Sequence, residues 1–258
     1  MDASLVAAAL SGAVVALLLT LFGGGGSVLA TPLLLYVVGV SDAHVAIGTS
    51  AAAVAVNAAV GLAAQARAGR VKWPCALTFG APGLVGSLVG AHAAKALPAG
   101  HLLAWFALAM AAVGLSMFRA PRSPGDPDVR IDQGKAARLV PAGAATGLAA
   151  GFFGIGGGFL IAPGLMAAAG MTLANAAASS LVSVALFGAA TSVSYAASGL
   201  VDGRLLLALV AGGGVGVLAG ARLAPRLASR VLLARRLFAA MVVVTAVYVL
   251  WRALAAGN

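Results

Sequence analysis

Two glycine-rich runs, Gly23-Gly24-Gly25-Gly26-Ser27 and Gly154-Ile155-Gly156-Gly157-Gly158, each precede a short apolar stretch that carries a proline, Pro32 in the first and Pro163 in the second. A glycine run that ends at a helix start presents free backbone N–H groups and the positive end of the helix dipole. That arrangement suits an anion such as a carboxylate, sulfonate or phosphate. The hydroxyls of Thr31, Thr49, Ser50, Ser179 and Ser180 and the amide of Asn57 could add donors to the anion's oxygens. A single hydroxyl in a membrane helix more often bonds back to its own helix carbonyl. The pairs nearest the glycine runs therefore rank ahead of Ser183 and Tyr195 as ligands. His44 follows Ser41-Asp42 and could carry a proton or meet an anion, although a solvated loop histidine is the commoner case.

Other chemistries find less support. No apolar stretch contains a glutamate, and Asp42 and Asp202 sit at span ends, which disfavours cation pumps and metal carriers with carboxylates inside the bundle. The lone Cys75 offers neither a disulfide nor a metal pair and reads as a packed thiol, so no metal and no cofactor is expected. Gly48-Thr49-Ser50-Ala51 is a weak likeness of an intramembrane serine protease loop. It lacks the second glycine, and no histidine follows His101 to act as base. The glycine runs have no Gly-Lys-Ser/Thr ending, so they do not read as a nucleotide site.

The elements that must position these residues belong to a membrane. Of 258 residues, 62% are hydrophobic and 9% charged, against about a quarter charged in a soluble domain. Too few polar side chains remain to make a solvated exterior. The 35 glycines and 6% aromatics point to helices packed through small residues. The net charge of +10 comes from 16 Lys and Arg against 6 acids. These cations cluster between apolar runs, where a positive-inside bias would put them, and do not form the stripe that nucleic acid requires. No basic segment precedes the first apolar run, so that run is expected to stay as a membrane helix.

Apolar stretches run over Ser4 to Phe22, Val28 to Val40, Ala43 to Ala66, Trp73 to Ala94 and Leu102 to Phe118. After a polar, proline-bearing segment the pattern returns over Leu139 to Phe153, Phe159 to Met171, Ala174 to Ser198, Leu205 to Ala221 and Val231 to Trp251. Sliding the second set over the first aligns Gly25-Gly26 with Gly156-Gly157 and Pro32 with Pro163 and, after a one-residue slip, Gly83, Gly86 and Gly90 with Gly213, Gly216 and Gly220. Glycines and a proline at fixed spacing mark a duplication. The expected division is a first membrane repeat over 1–118, a cytoplasmic linker over 119–138 and a second repeat over 139–258.

Val28 to Val40 spans 13 residues, about 20 Å as a helix and short of a ~30 Å hydrocarbon core. Phe159 to Met171 has the same length defect. If both nevertheless count as crossings, the clusters near Arg67–Lys72, Arg119–Arg138 and Arg222–Arg236 fall on one side. Lys95, Arg204 and Arg252 then fall on the other. That bias favours five crossings per copy, inverted repeats with broken helices, and both termini outside. Unpaired backbone at membrane depth survives only against protein or a watery cavity. The two glycine loops are therefore expected to line a shared site near the bilayer midplane.

These features resemble the sulfite exporter TauE/SafE family of anion permeases. The resemblance rests on Gly23-Gly24-Gly25-Gly26-Ser27-x-x-x-x-Pro32, on Ala46-Ile47-Gly48-Thr49-Ser50, on Gly154 to Pro163 and on Ala178-Ser179-Ser180. It covers nearly the whole chain, although the second copy has Ser179-Ser180 where the first reads Gly-Thr-Ser. It implies transport, and no enzymatic activity, of sulfite, sulfonates or thiosulfate across a bacterial inner membrane. An all-α polytopic helix bundle working by alternating access is the expectation, with an anion channel as the competing reading. Amides of Gly24, Gly25, Gly26, Gly156, Gly157 and Gly158 and hydroxyls of Ser27, Thr31, Thr49, Ser50, Ser179 and Ser180 are the expected contacts, and Pro32 and Pro163 would shape the short helices. An inside-negative potential favours anion exit by about 2.3 kcal/mol per charge per 100 mV, so export needs no partner ion whereas uptake would need protons or another cation. The expected partners are a small anion and the lipid bilayer, with no nucleic acid; the oligomeric state is open.

Overall fold

The computed structural model describes residues 3–118, 125–153, 158–227 and 231–255. They form α1 (Ala3–Phe22), α2 (Ala30–Leu33), α3 (Ala43–Arg67), α4 (Trp73–Lys95), α5 (Ala99–Phe118), α6 (Gln133–Phe153), α7 (Gly158–Ala169), α8 (Leu173–Ala196), α9 (Gly203–Leu227) and α10 (Val231–Ala255). A 3-10 stretch, Gly23–Leu29, joins α1 to α2, and a π-helical turn, Leu34–Val38, follows α2. Six helical stretches among the described residues are long and apolar enough to cross a bilayer. Extended pairing there amounts to one isolated bridge between Asp126 and Met171. The molecule is an all-α, multi-pass membrane bundle.

Polar residues at the span ends set where helices begin. Asp42 Oδ1 accepts the N–H groups of His44 and Val45 at the head of α3, and Thr172 Oγ1 accepts that of Asn175 at the head of α8. Asp202 caps α9 through Arg204 and Leu205. Gly69 and Gly199, at matching places in the two halves, adopt φ of +69° and +71° where α3 and α8 end, a backbone that only glycine takes without strain. Helix α6 begins at Gln133, so the last residues of the expected linker already form its first turns.

Asp132 explains that start. Its Oδ1 accepts the Lys135 N–H at 2.7 Å and its Oδ2 lies 3.4 Å from Lys135 Nζ. The Lys135 backbone N–H holds this carboxyl below the usual carboxylate range. A carboxylate with a lowered folded-state pKa stabilises above its unfolded value, and that stabilisation is lost as pH falls through the folded value. Asp132→Ala is therefore expected to lower the unfolding temperature slightly at pH 7, with the difference from the parent vanishing well below pH 4. Thermal unfolding in detergent at the two pH values measures it.

Small residues let the long helices approach to backbone contact. A Cβ on Gly143, Gly147 or Gly151 of α6 would overlap the backbone of Phe79, Gly83 or Ser87 of α4, in that order along both helices. The two helices thus run parallel. On α9, Gly212 and Gly216 meet Ala9 and Ala13 of α1, and Gly220 meets Thr20, again parallel. Helices α3 and α8 run antiparallel, because Gly48 faces Tyr195, Gly188 faces Ala51 and Ala55, and Gly61 faces Leu181. Phe79, Leu139, Ile161, Leu165 and Phe187 fill the space between α4, α6, α7 and α8. Helices α5 and α10 pack on one another at the periphery. Outward side chains such as Leu10, Val85, Leu207 and Val215 are exposed in the isolated chain and suit lipid.

The described part of the linker lies beside the head of α4. Asp126 N–H donates to Gly170 O at 2.8 Å, Asn175 Nδ2 donates to Pro127 O, and Lys72 Nζ stands 3.9 Å from Asp128. Residues Arg67 to Lys72 and the linker therefore share one face of the bundle. Lys95 sits at the opposite end, where its Nζ donates to Ser194 O and Ser198 Oγ.

Candidate functional site

The first glycine run is helical, not the open loop expected from sequence. A 3-10 path turns the later amides of the stretch inward to carbonyls three residues back, as Ala30 N–H does to Ser27 O, while the Gly24 N–H reaches α8. Gly23 alone keeps a left-handed backbone, φ +66°, where a Cβ would press on Ala177 and Ser180 of α8. A Cβ on Gly26 would overlap the backbone of Leu18 and Leu19. These glycines permit tight packing as well as backbone exposure. The Gly23–Gly24 end of the break lies against Ala177 and Ser180 in the second turn of α8, and its Thr31 end lies against Ser50 in the second turn of the antiparallel α3. Helix α1 has 20 residues, about 30 Å, so it completes a crossing before the break begins.

Around this stretch the structure gathers several of the expected residues. Gly24 N–H donates to Ser180 Oγ at 3.1 Å, Ser180 Oγ donates to Ala177 O at 2.8 Å, and Ser27 Oγ donates to Gly24 O at 2.7 Å. At the other end of the stretch Thr31 Oγ1 and Ser50 Oγ are 2.9 Å apart, and Ser50 also donates to Ile47 O. Ser27, Thr31, Ser50 and Ser180 are all buried. Pro32 is buried inside α2, Gly25 within the 3-10 stretch. Gly156 and Gly157 lie outside the described residues, Gly158 opens α7, and Pro163 is exposed on it. Beyond α2, the π-helical turn carries Tyr36, whose ring stacks edge-on with Tyr248 at 5.1 Å beneath the Arg252 guanidinium. Nothing in the apolar pattern of Leu33 to Val38 signals that turn.

Thr49 and Ser179 have a different use. Thr49 Oγ1 accepts the N–H of Asp202 and Ser179 Oγ accepts that of Lys72, both at 2.9 Å. Each hydroxyl thus holds the backbone just ahead of a long helix from the other half of the sequence, α9 and α4 respectively. The two bonds correspond under the same offset that aligns Gly83 with Gly213. Thr49→Val is expected to cost about 1–3 kcal/mol, because the Asp202 N–H loses its acceptor in a largely dry setting. Thermal unfolding measures the loss, and the protein that remains folded is expected to keep its transport rate.

The last two candidates stand apart from the break. Asn57 is buried against Gly213 of α9, well along α3. His44 lies in the first turn of α3 with its ring centroid 6.3 Å from that of Tyr195, and its Nδ1 is buried without a partner. Thirteen helical residues separate them, about 20 Å.

A bundle of lipid-facing helices, broken at a glycine run and closed around buried hydroxyls, defines a polytopic membrane protein. The chain matches the sulfite exporter TauE/SafE family over residues 8–249 and belongs to that family. It is 44% identical over 253 residues to a probable membrane transporter protein of Xylella fastidiosa strain Temecula1, with 96% of each chain covered. The corresponding protein of strain 9a5c is 43% identical over 254 residues, again with 96% coverage of both. The probable membrane transporter protein YdhB of Bacillus subtilis strain 168 is 27% identical over 203 residues, covering 78% of this chain and 81% of that one. No solved structure matches the chain significantly.

Proposed function

We propose that this protein carries small sulfur-containing anions of the sulfite, sulfonate or thiosulfate type across a bacterial inner membrane by alternating access. The observation that carries the reading is the contact of Gly24 N–H with Ser180 Oγ, which joins the broken segment of the first half to a hydroxyl of the second. Both groups can turn to an anion's oxygens when the segment moves, and the neighbouring Thr31 and Ser50 hydroxyls offer the same at its far end. Thr49 and Ser179 then serve as supports.

The division into two membrane repeats joined by a linker is part of the proposal. Its support is the running directions. Helix α1 runs with α3 and α9, while α4, α6 and α8 run the opposite way, so corresponding helices of the two halves point in opposite senses. Inverted halves can exchange inward- and outward-open states by rocking around a fixed site. The shared basic face of Arg67–Lys72 and the linker supports a cytoplasmic placement of that face, with both termini outside.

The test is a flux and binding screen of purified protein against sulfite, sulfate, thiosulfate, sulfoacetate and taurine, with carboxylate controls. Saturable flux in proteoliposomes with counterflow, and thermal stabilisation by the transported anion, are expected. Saturation without counterflow would indicate a channel. Stabilisation by metal ions and by no anion would overturn the assignment.

A further inference from the structure

Four buried side-chain polar atoms have no hydrogen-bond partner among the described residues: His44 Nδ1, Ser183 Oγ, Thr191 Oγ1 and Tyr195 OH. Their positions are related. Ser183, Thr191 and Tyr195 lie eight and four residues apart on α8, close to one face of that helix, and the His44 ring packs beside Tyr195. All three α8 residues are fully buried. Elsewhere in the bundle hydroxyls bond back to their own helix, as Thr20 does to Ala16 O, Thr78 to Pro74 O, Ser87 to Leu84 O and Thr245 to Met241 O. Ser183 and Thr191 have carbonyls four residues back and do not use them. A buried donor left unpaired at rest is costly, and a row of them on one helix calls for an occupant.

The opposite wall of this row is made of small residues. Ser183 Oγ faces Gly80, the Phe187 ring lies against Gly83, and Tyr195 packs with Ala91 and Ala94, all on α4. The row ends in charge. Lys95 Nζ stands 5.8 Å from the Tyr195 ring centroid, and its hydrogen bonds to Ser194 O and Ser198 Oγ leave its positive charge uncompensated by them. At the other end Ser183 is one turn beyond Ser180, the acceptor of Gly24 N–H. From Ser180 to Ala196, the end of α8, is about 24 Å, most of the thickness of the hydrocarbon core.

We propose that this row, from Lys95 and His44 through Tyr195 and Thr191 to Ser183, is the path by which the substrate anion travels between the Lys95 face and the Gly24–Ser180 break. It rests on the anion-transport reading above. The cation draws the anion in, the unpaired O–H groups replace its water one after another, and Phe187, fully buried between Ser183 and Thr191, closes the row in this structure. Tyr195→Phe and Thr191→Val remove one hydroxyl each with little change of shape.

The experiment measures thermal unfolding and the flux of ³⁵S-labelled sulfite and thiosulfate in proteoliposomes for Tyr195→Phe, Thr191→Val, Ser183→Ala and the Tyr195→Phe/Thr191→Val pair, with Thr245→Val as control. Expected are unfolding temperatures equal to or above the parent's, at least a tenfold loss of flux in the double variant, and an unchanged control. Flux within twofold of a working parent overturns the path and leaves the transport reading standing. Marked destabilisation of the isosteric variants also overturns it, since the hydroxyls would then have protein partners. A parent that moves neither of these anions nor sulfoacetate or taurine ends both proposals.

Discussion

Gly147→Val is expected to leave almost no folded transporter. Gly147 sits where α6 touches α4, and its missing side chain admits the Gly83 carbonyl directly. Gly143 and Gly151, one turn to either side, meet Phe79 and Ser87 in the same way, so the two backbones are in contact over about two turns and neither can tilt to make room. Overpacking a well-filled site costs about 1–3 kcal/mol when side chains can adjust. Here the obstacle is main chain, and in lipid close packing is itself a principal force between helices. A loss of 3 kcal/mol or more is expected from a protein whose total stability is on the order of 5–15 kcal/mol. Gly216→Val, facing Ala13 of α1, is expected to behave alike. Gly214→Ala, with open space around it, should be neutral or stabilise by up to about 1 kcal/mol. The monodisperse yield in detergent and the unfolding temperature measure all three. A Gly147→Val protein that matches the parent would show that α4 and α6 are not packed as described.

Those contacts also show why so much of the fold is legible in the residues. Gly83, Gly86 and Gly90 repeat as Gly213, Gly216 and Gly220, and both sets end up at interfaces between a helix of one half and a helix of the other. Their matched spacing is what the expected duplication rests on, and the apolar run lengths mark where the long helices fall. What spacing cannot give is the partner across the interface, which depends on tertiary approach. Gly23 to Ser27 illustrates the limit. Glycine permits both an open loop and a 3-10 turn, and packing of Gly26 against Leu18 and Leu19 decides in favour of the turn. Thr49 and Ser50 are neighbours of similar chemistry, yet one holds the N–H of Asp202 and the other meets Thr31, because successive helical residues point about 100° apart. Ser183 and Thr191 look like ordinary helix hydroxyls in the sequence. In the folded bundle they lack the usual carbonyl partner.

The hydroxyls beside the broken segment carry the largest expected effects on transport. Ser180 Oγ accepts from Gly24 and donates to Ala177, while Ser50 is bonded both to Thr31 and to Ile47. On the transport reading proposed above, each of these bonds would be exchanged for one to an anion as the segment Gly23–Val38 moves. A hydrogen bond to a charged group contributes about 1.5–3 kcal/mol, and 1.4 kcal/mol is about a tenfold change in a rate or binding constant. Ser180→Ala and Ser50→Ala are therefore each expected to reduce anion flux by about ten- to a hundredfold. The fold should survive, because each change removes a hydroxyl without adding volume. Thr31 offers the sharper comparison. Thr31→Val keeps the shape and removes the donor, and flux should fall as for Ser50→Ala, whereas Thr31→Ser keeps the hydroxyl and should retain most of it. Initial rates in proteoliposomes across a range of anion concentrations separate affinity from turnover. Equal rates for the valine and serine variants would show that the Thr31 hydroxyl has no part in transport.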